Sequence, residues 1–254
     1  MLLHHARRQV LRLETWIEKS RAISSSVALF SSVQHAVSGH GIDYDALAAH
    51  ARPDLDEQIT KVASASLDEM QDHDHMLALH INAYNLHVVR TVLDLRDRSG
   101  SFRKNGLRSR LWFLRFFLAR RVVVAGRRMS LYHLEHRILR KQFSEPRIHF
   151  VLNCASVSCP PLRDGLYTPA HLDDELDMAT KGFLATDRGA RRAGNTLVVS
   201  RIFKWYANDF GGHAGMVRFL SEHLPDHLNT WFQDESPSIR FMSYDWSLNT
   251  HASG

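Results

Sequence analysis

Two cysteines lie close together in one stretch of this 254-residue chain, RIHFVLNCASVSCPPL, which runs from Arg147 to Leu162. Cys154 is followed by small residues, among them Ala155 and Ser156, and the backbone N–H groups of such a loop can bind an oxyanion. A cysteine in this setting can be the nucleophile of an acyl-transfer reaction. It can also be a small buried residue, since free cysteine is among the residues most often buried. Both interpretations stay open.

Other chemistry for the two cysteines is less well supported. Two thiols are too few to staple a chain of this length, and the CxxxxC spacing of Cys154 and Cys159 is not the CxxC of a thioredoxin-type centre. A disulfide is therefore disfavoured, and so is a structural zinc site. The sequence DHDH at residues 72–75 is expected to be a solvated polar cluster. We expect no metal and no cofactor.

A base for Cys154 has to come from elsewhere in the fold. The stretch from Ile148 to Asn153 is predicted to be a strand, in which alternation sends His149 and Cys154 to opposite faces. His136 is the natural candidate, because it falls at the edge of the inner face of a predicted helix in SLYHLEHRIL. Glu135 lies in the middle of that face, where a carboxylate needs a partner. Arg147 is the expected partner.

Two amides in the motif HINAYN also fall on an apolar helix face. Asn85 lies within the apolar stripe and Asn82 at its edge, so both are expected to be partly buried. A buried amide without partners costs on the order of 1–3 kcal/mol, so each must be hydrogen-bonded. The simpler interpretation is that both tie the helix to a neighbouring loop, and the alternative is that one of them lines a site.

The elements that would position these residues are mostly helices. Apolar periodicity predicts helices over 26–37, 55–62, 67–95, 131–141, 169–183 and 213–223, and Thr168 with Pro169 forms a helix start. Short β-rich runs occur at 121–125, 148–153, 196–200 and 239–244. The sequence therefore predicts a helix-rich α+β domain with a small, mainly antiparallel sheet. We expect residues 1–25 to be a helical or flexible extension and residues 26–254 to form a single domain.

Composition limits the class of protein further. The chain is 44% hydrophobic and 23% charged, with a net charge of +5, and contains no apolar run of the roughly 20 residues that a membrane span requires. We expect a cytoplasmic protein, because the first residues do not form a signal peptide. The basic segment around Arg108–Arg121 lacks the spacing of a nucleic-acid module, although its aromatic residues suggest contact with a membrane or a protein.

Several motifs together resemble a known family. NAYN, SLxxxEHxIL, RIHFVLNCASVSCPPL, SRIFKWYANDF and YDWSLN, with GIDYDAL earlier, follow one another as in the uncharacterised family called domain of unknown function 547, and the chain resembles a bacterial-type member. The resemblance spans about residues 26–249. His80 departs from it, since an aromatic residue commonly precedes INAYN, and relatives often carry an export signal. The resemblance favours Cys154 over Cys159, because plant members can have serine at the second position.

Three classes of function follow from these residues. The first is a thiol-dependent hydrolase or acyltransferase of papain or transglutaminase type, with Cys154 as nucleophile, His136 as base and Glu135 as orienting group, acting on amide, isopeptide or small thiol-peptide bonds. The second is a non-catalytic ligand-binding or scaffold domain around a buried Cys154. The third is a thiol redox role. The residues expected to bind substrate or support the site are Asn82, Asn85, Arg147, His149, Ala155, Ser156 and Cys159.

Overall fold

The long helix predicted around HINAYN is the central element of the chain. The computed structural model describes residues 37–38, 41–67, 70, 72–98, 110–163 and 165–250. A two-residue strand pair, β1 (Val37–Ser38) and β2 (Gly41–Ile42), precedes helices α1 (Tyr44–His50), α2 (Arg52–Ser64) and α3 (His73–Arg98). Helix α3 is buried around most of its circumference, as expected for a helix inside a core rather than on its surface.

A helix, a hairpin and a second helix follow. Helix α4 begins as Arg110–Phe113 and continues as a π-helix over Leu114–Ala119. Strands β3 (Arg121–Val124) and β4 (Arg127–Ser130) pair antiparallel. The two residues between them both have positive φ, 48° at Ala125 and 71° at Gly126, as a tight type I′ hairpin turn requires.

Helix α5 carries the motif SLYHLEHRIL. It begins as Leu131–His133, continues as a π-helix over Leu134–Leu139 and ends as Arg140–Gln142. Ser130 caps its first turn by accepting a hydrogen bond from the His133 N–H at 3.1 Å. The wider π-helical turn lies at Glu135 and His136, and such turns are frequent at functional sites.

The strand predicted from Ile148 to Asn153 is wrong. Residues Pro146–Phe150 form a 3₁₀-helix, and the chain then runs in turns through Cys154. The apolar residues of this run are buried by packing between helices rather than by pairing in a sheet. Alternation of side chains therefore does not apply, and His149 and Cys154 are not sent to opposite sides.

The remaining elements form the C-terminal part of the described chain. A 3₁₀ turn (Pro169–His171) leads into α6 (Leu172–Leu184). Strands β5 (Ala190–Ala193), β6 (Thr196–Val199) and β7 (Ser238–Phe241) form a sheet in which β5 and β6 are antiparallel and β6 and β7 parallel. Helices α7 (Ile202–Trp205), α8 (Gly212–His223) and α9 (Asp226–Glu235) lie between the last two strands in the sequence.

Buried apolar side chains form two clusters. One is built around α3 and includes α5, and the other packs around β6, α7 and α8. The 3₁₀-helix contributes Ile148 to the first and Phe150 to the second, so the segment leading to Cys154 is held by both.

The prediction of a helix-rich α+β fold with small sheets is confirmed. Of the helix predicted over 26–37, only Val37 is among the described residues, and it lies in a strand. No helix in the described ranges is long and apolar enough to cross a membrane. The predicted basic aromatic surface is described from Arg110 onward, and it exposes Leu111, Leu114 and Leu118. Its partner remains a prediction.

Candidate functional site

One cleft brings together five of the ten site residues singled out in the sequence, namely Glu135, His136, His149, Cys154 and Cys159. It encloses about 650 Å³, counted out to its open mouth. Acidic, imidazole, sulfur and aromatic groups all reach it. Its chemically notable lining residues are Tyr84, Tyr132, Glu135, His136, His149, Cys154, Cys159, Trp205, Tyr206, Tyr244 and Trp246.

Cys154 and Cys159 form a disulfide, so the inference that disfavoured such a bond is wrong. Their Cα atoms are 6.2 Å apart. The loop between them turns back on itself, because Ala155 has a φ of 63° and the Cys159 N–H donates to the Ser156 carbonyl at 3.0 Å. This local turn brings the two sulfurs together. The sequence argument considered only a disulfide that crosslinks distant parts of the chain, and this bond closes a short loop instead.

The two sulfurs differ in exposure and in hydrogen bonding. Cys159 is only 3% exposed, whereas Cys154 is half-buried and reaches the cleft. The Cys154 N–H donates to Cys159 Sγ at 2.9 Å. The Tyr244 hydroxyl lies 3.3 Å from each sulfur and accepts a hydrogen bond from Ser156 Oγ at 3.0 Å, which leaves the tyrosine proton free to point at sulfur.

Glu135 is held by two tyrosines and not by the expected arginine. Tyr206 donates to Oε1 at 2.7 Å and Tyr84 to Oε2 at 3.0 Å. Burial raises the pKa of both hydroxyls and the Glu135 charge raises it further, so both remain donors. The guanidinium of Arg147 instead bonds to Glu145, Asp173 and Asp177. The predicted ion pair of Arg147 with Glu135 is therefore wrong, and Arg147 braces α6 against the 3₁₀-helix.

His136 is placed between Glu135 and Arg140. Its Nε2 lies 3.7 Å from Glu135 Oε1, and Arg140 donates to its Nδ1. Because arginine only donates, the neutral ring carries its proton on Nε2. Burial lowers the pKa of His136, Glu135 opposes this, and the Arg140 charge lowers the pKa again, so the net shift favours the neutral ring.

His149 belongs to a second polar cluster, which sequence reasoning missed. Its Nε2 donates to Asp209 at 2.8 Å, and Arg140 holds the same carboxylate through two nitrogens. Burial raises the pKa of Asp209, but the bonds from His149 and Arg140 outweigh it and the net pKa is lowered. Arg140 thus links Asp209 to His136, and His149 stacks on Tyr206 with ring centroids 3.9 Å apart.

The two asparagines of HINAYN bond to loop backbone. Asn82 donates to the Tyr167 carbonyl and accepts from the Tyr167 N–H, both at 2.8 Å. Asn85 donates to the Val151 carbonyl at 2.9 Å and accepts from the Asn153 N–H at 3.0 Å. Asn85 therefore fixes the backbone directly before Cys154, which makes it a support of the cleft rather than part of its lining.

The backbone donors expected to bind an oxyanion are partly engaged. The Ala155 N–H donates to Asn153 Oδ1 at 2.8 Å. Ser156 forms an antiparallel bridge with Leu248, and its side chain bonds to Tyr244. The loop is thereby fixed by its own Asn153 and by the C-terminal segment that carries Tyr244 and Leu248.

Three aromatic rings form one wall of the cleft. The ring centroids of Trp205, Tyr244 and Trp246 are 4.6–5.3 Å apart pairwise. These residues, with Tyr206 and Asp209, come from KWYANDF and YDWSLN. Both motifs are rich in aromatic residues, which could have indicated a binding site. Aromatic residues also fit an ordinary hydrophobic core, however, and nothing in the sequence placed these beside Cys154.

Among the described residues, no group of three or more histidine, cysteine or acidic side chains is arranged to hold a metal ion. The fold and cleft define a helix-rich α+β protein in which a disulfide adjoins a carboxylate and histidine network. Residues 67–184 match the model of the family described as protein of unknown function, DUF547, which confirms the resemblance over this range. Comparisons with curated proteins and with solved structures gave no significant match.

Proposed function

We propose that the protein is a thiol-dependent hydrolase or acyltransferase of papain or transglutaminase type, active when the Cys154–Cys159 disulfide is reduced. The observation that supports this proposal is the shared cleft, which is lined by the half-buried Cys154 together with His136 and Glu135. Reduction converts Cys154 into the accessible thiol of that cleft, and its substrates are amide, isopeptide or small thiol-peptide bonds.

In this mechanism His136 is the general base and Glu135 orients its ring. In the described state Arg140 occupies His136 Nδ1, so the ring proton is on Nε2. His136 can take the Cys154 proton at Nε2 only after the ring exchanges this tautomer and leaves Arg140. Its lowered pKa keeps the ring neutral and able to accept the thiol proton, and the departure of Arg140 removes a charge that lowers this pKa, which stabilises the imidazolium beside the thiolate.

Alkylation and acylation of the reduced protein test this proposal. A Cys159→Ser background prevents the disulfide from re-forming, and Cys154 should then react with iodoacetamide with a pH midpoint below that of a free thiol, about 8.5. His136→Gln should return this pH midpoint to that of a free thiol, whereas His133→Gln, at an exposed position on the same helix, should leave the lowered midpoint unchanged.

The acyl step is followed by incubating the same variants with p-nitrophenyl acetate and measuring intact mass. We expect an acetyl adduct on Cys154, slower in His136→Gln than in His133→Gln. Slow alkylation together with no adduct, or equal rates in the two histidine variants, would count against the proposal.

A non-catalytic ligand-binding domain is the second candidate, and one observation favours it. The buried polar groups nearest the cleft are satisfied within the protein, since Asn85 and Glu135 each have two partners. Under this alternative Cys154→Ala would leave any cellular role intact, whereas an acyltransferase would lose it.

A further inference from the structure

The disulfide is a reactive group in its own right, and the proposed function uses only its reduced form. It lines a cleft that is open to solvent, through which a low-molecular-mass thiol can approach. We propose that the oxidised protein carries out thiol–disulfide exchange, with Cys154 as the sulfur that is attacked and Cys159 as the leaving thiolate. This activity goes beyond acyl transfer and does not depend on it.

Exposure decides which sulfur is attacked. An incoming thiolate must approach one sulfur in line with the bond that breaks, so access limits the reaction. Both cysteines line the cleft, but Cys159 is only 3% exposed, whereas Cys154 is half-buried and the more accessible of the two.

Hydrogen bonding decides which sulfur leaves. The leaving sulfur takes up negative charge, and fixed donors next to it lower its pKa and speed its departure. The Cys154 N–H points at Cys159 Sγ, whereas the neighbours of Cys154 Sγ among the described residues are two hydroxyls, Ser156 at 3.1 Å and Tyr244 at 3.3 Å, and no backbone donor. Ser156 gives its proton to Tyr244, and the Tyr244 hydroxyl can then follow the charge onto Cys159.

The atoms balance in two steps. A thiolate RS⁻ forms a bond to Cys154 Sγ, the bond between Cys154 and Cys159 breaks, and its electron pair leaves on Cys159 Sγ. A second RS⁻ then attacks the sulfur of R in the mixed disulfide, which releases RSSR and the Cys154 thiolate. Two substrate thiols are oxidised to one disulfide, and the protein disulfide is reduced to two thiols.

Mass spectrometry of the oxidised protein tests the direction of attack. The protein is mixed with excess 2-mercaptoethanol, quenched at intervals with N-ethylmaleimide and digested with trypsin, which releases residues 148–163 as one peptide. We expect the thiol adduct on Cys154 and maleimide on Cys159, in at least about tenfold excess over the reverse pattern. The reverse pattern, equal amounts or no reaction would overturn the proposal.

Two controls connect the result to the fold. The oxidised synthetic peptide IHFVLNCASVSCPPLR carries the same disulfide without the cleft, and it should lose most of the preference for Cys154. Tyr244→Phe should slow the reaction of the protein about tenfold, as expected when a hydrogen bond to a developing charge is lost. Tyr167→Phe removes a tyrosine hydroxyl from a residue that does not line this cleft, and it should react at the wild-type rate.

Equal preference in the peptide and the protein, or an unchanged rate in Tyr244→Phe, would overturn the assignment of Cys159 as the stabilised leaving group. No acyl donor is present in these reactions. The exchange assay can therefore fail while the acyl-transfer assay succeeds, and the reverse, so each proposal is tested separately.

Discussion

Replacing Glu135 with alanine should strongly destabilise the protein, because two tyrosine hydroxyls lose their acceptor together. Tyr84 is 1% exposed, so its hydroxyl cannot turn to water instead. A hydrogen bond to a charged group contributes about 1.5–3 kcal/mol, so the loss of both bonds gives about 3–6 kcal/mol. In a domain of this size, that corresponds to a fall in Tm on the order of 10 °C.

Urea unfolding of the oxidised protein, followed by circular dichroism, measures this loss. Glu135→Gln keeps one acceptor oxygen and should lose about half as much as Glu135→Ala. Glu57→Ala is the surface control, since that side chain is 63% exposed in its pair with Lys61 and should change stability by no more than about 0.5 kcal/mol.

A double-mutant cycle isolates the tyrosine contribution. Tyr84→Phe should cost much less in the Glu135→Ala background than in the wild type, because the hydroxyl then has no acceptor to lose. Two results would refute the role of Glu135 as a buried acceptor for two donors. One is a urea midpoint for Glu135→Ala equal to that of Glu57→Ala, and the other is additivity of the two substitutions in the double-mutant cycle.

The remaining predictions concern the supports of the cleft and two histidines. Asn85→Ala should lower the free energy of unfolding by about 2–4 kcal/mol, since two buried backbone groups lose their partner. Burial lowers the pKa of His87 from its ordinary 6.5, so the unfolded chain binds a proton that the native protein does not, and stability should fall as pH decreases below about 6.5. Arg140→Met should raise the pKa of His136, measured by NMR, and speed alkylation of reduced Cys154.

Each of these has a matched check. Thr60→Ala changes an exposed helix position and should leave the urea midpoint nearly unchanged, unlike Asn85→Ala. His87→Gln should flatten the pH dependence of stability, and a slope equal to the wild type would contradict the assignment. For Arg140→Met, an unchanged or lower His136 pKa would show that Arg140 does not suppress protonation of the ring.

Much of the local structure follows from the sequence, because helix periodicity and costly polar groups are local signals. The periodicity around Leu77, Ile81 and Val88 predicted helix α3, and Asn85 and Glu135 were recognised as buried polar residues that must have partners. The identity of those partners was not predictable. Arg147 was a plausible cation for Glu135, yet only the packing of α3 and α7 places two tyrosines there instead.

The fold class, most of the helices and the residues whose burial is expensive can be inferred from the amino-acid sequence, since these depend on composition and on spacing within one element. The surroundings of Cys154 depend instead on how distant segments pack together. An apolar run such as IHFVLN suits a strand or a helix equally, and its 3₁₀ form depends on the two clusters that enclose it. The disulfide, Asp209 beside His149 and the aromatic wall all join residues whose proximity is set by the path of the chain, which no local pattern encodes.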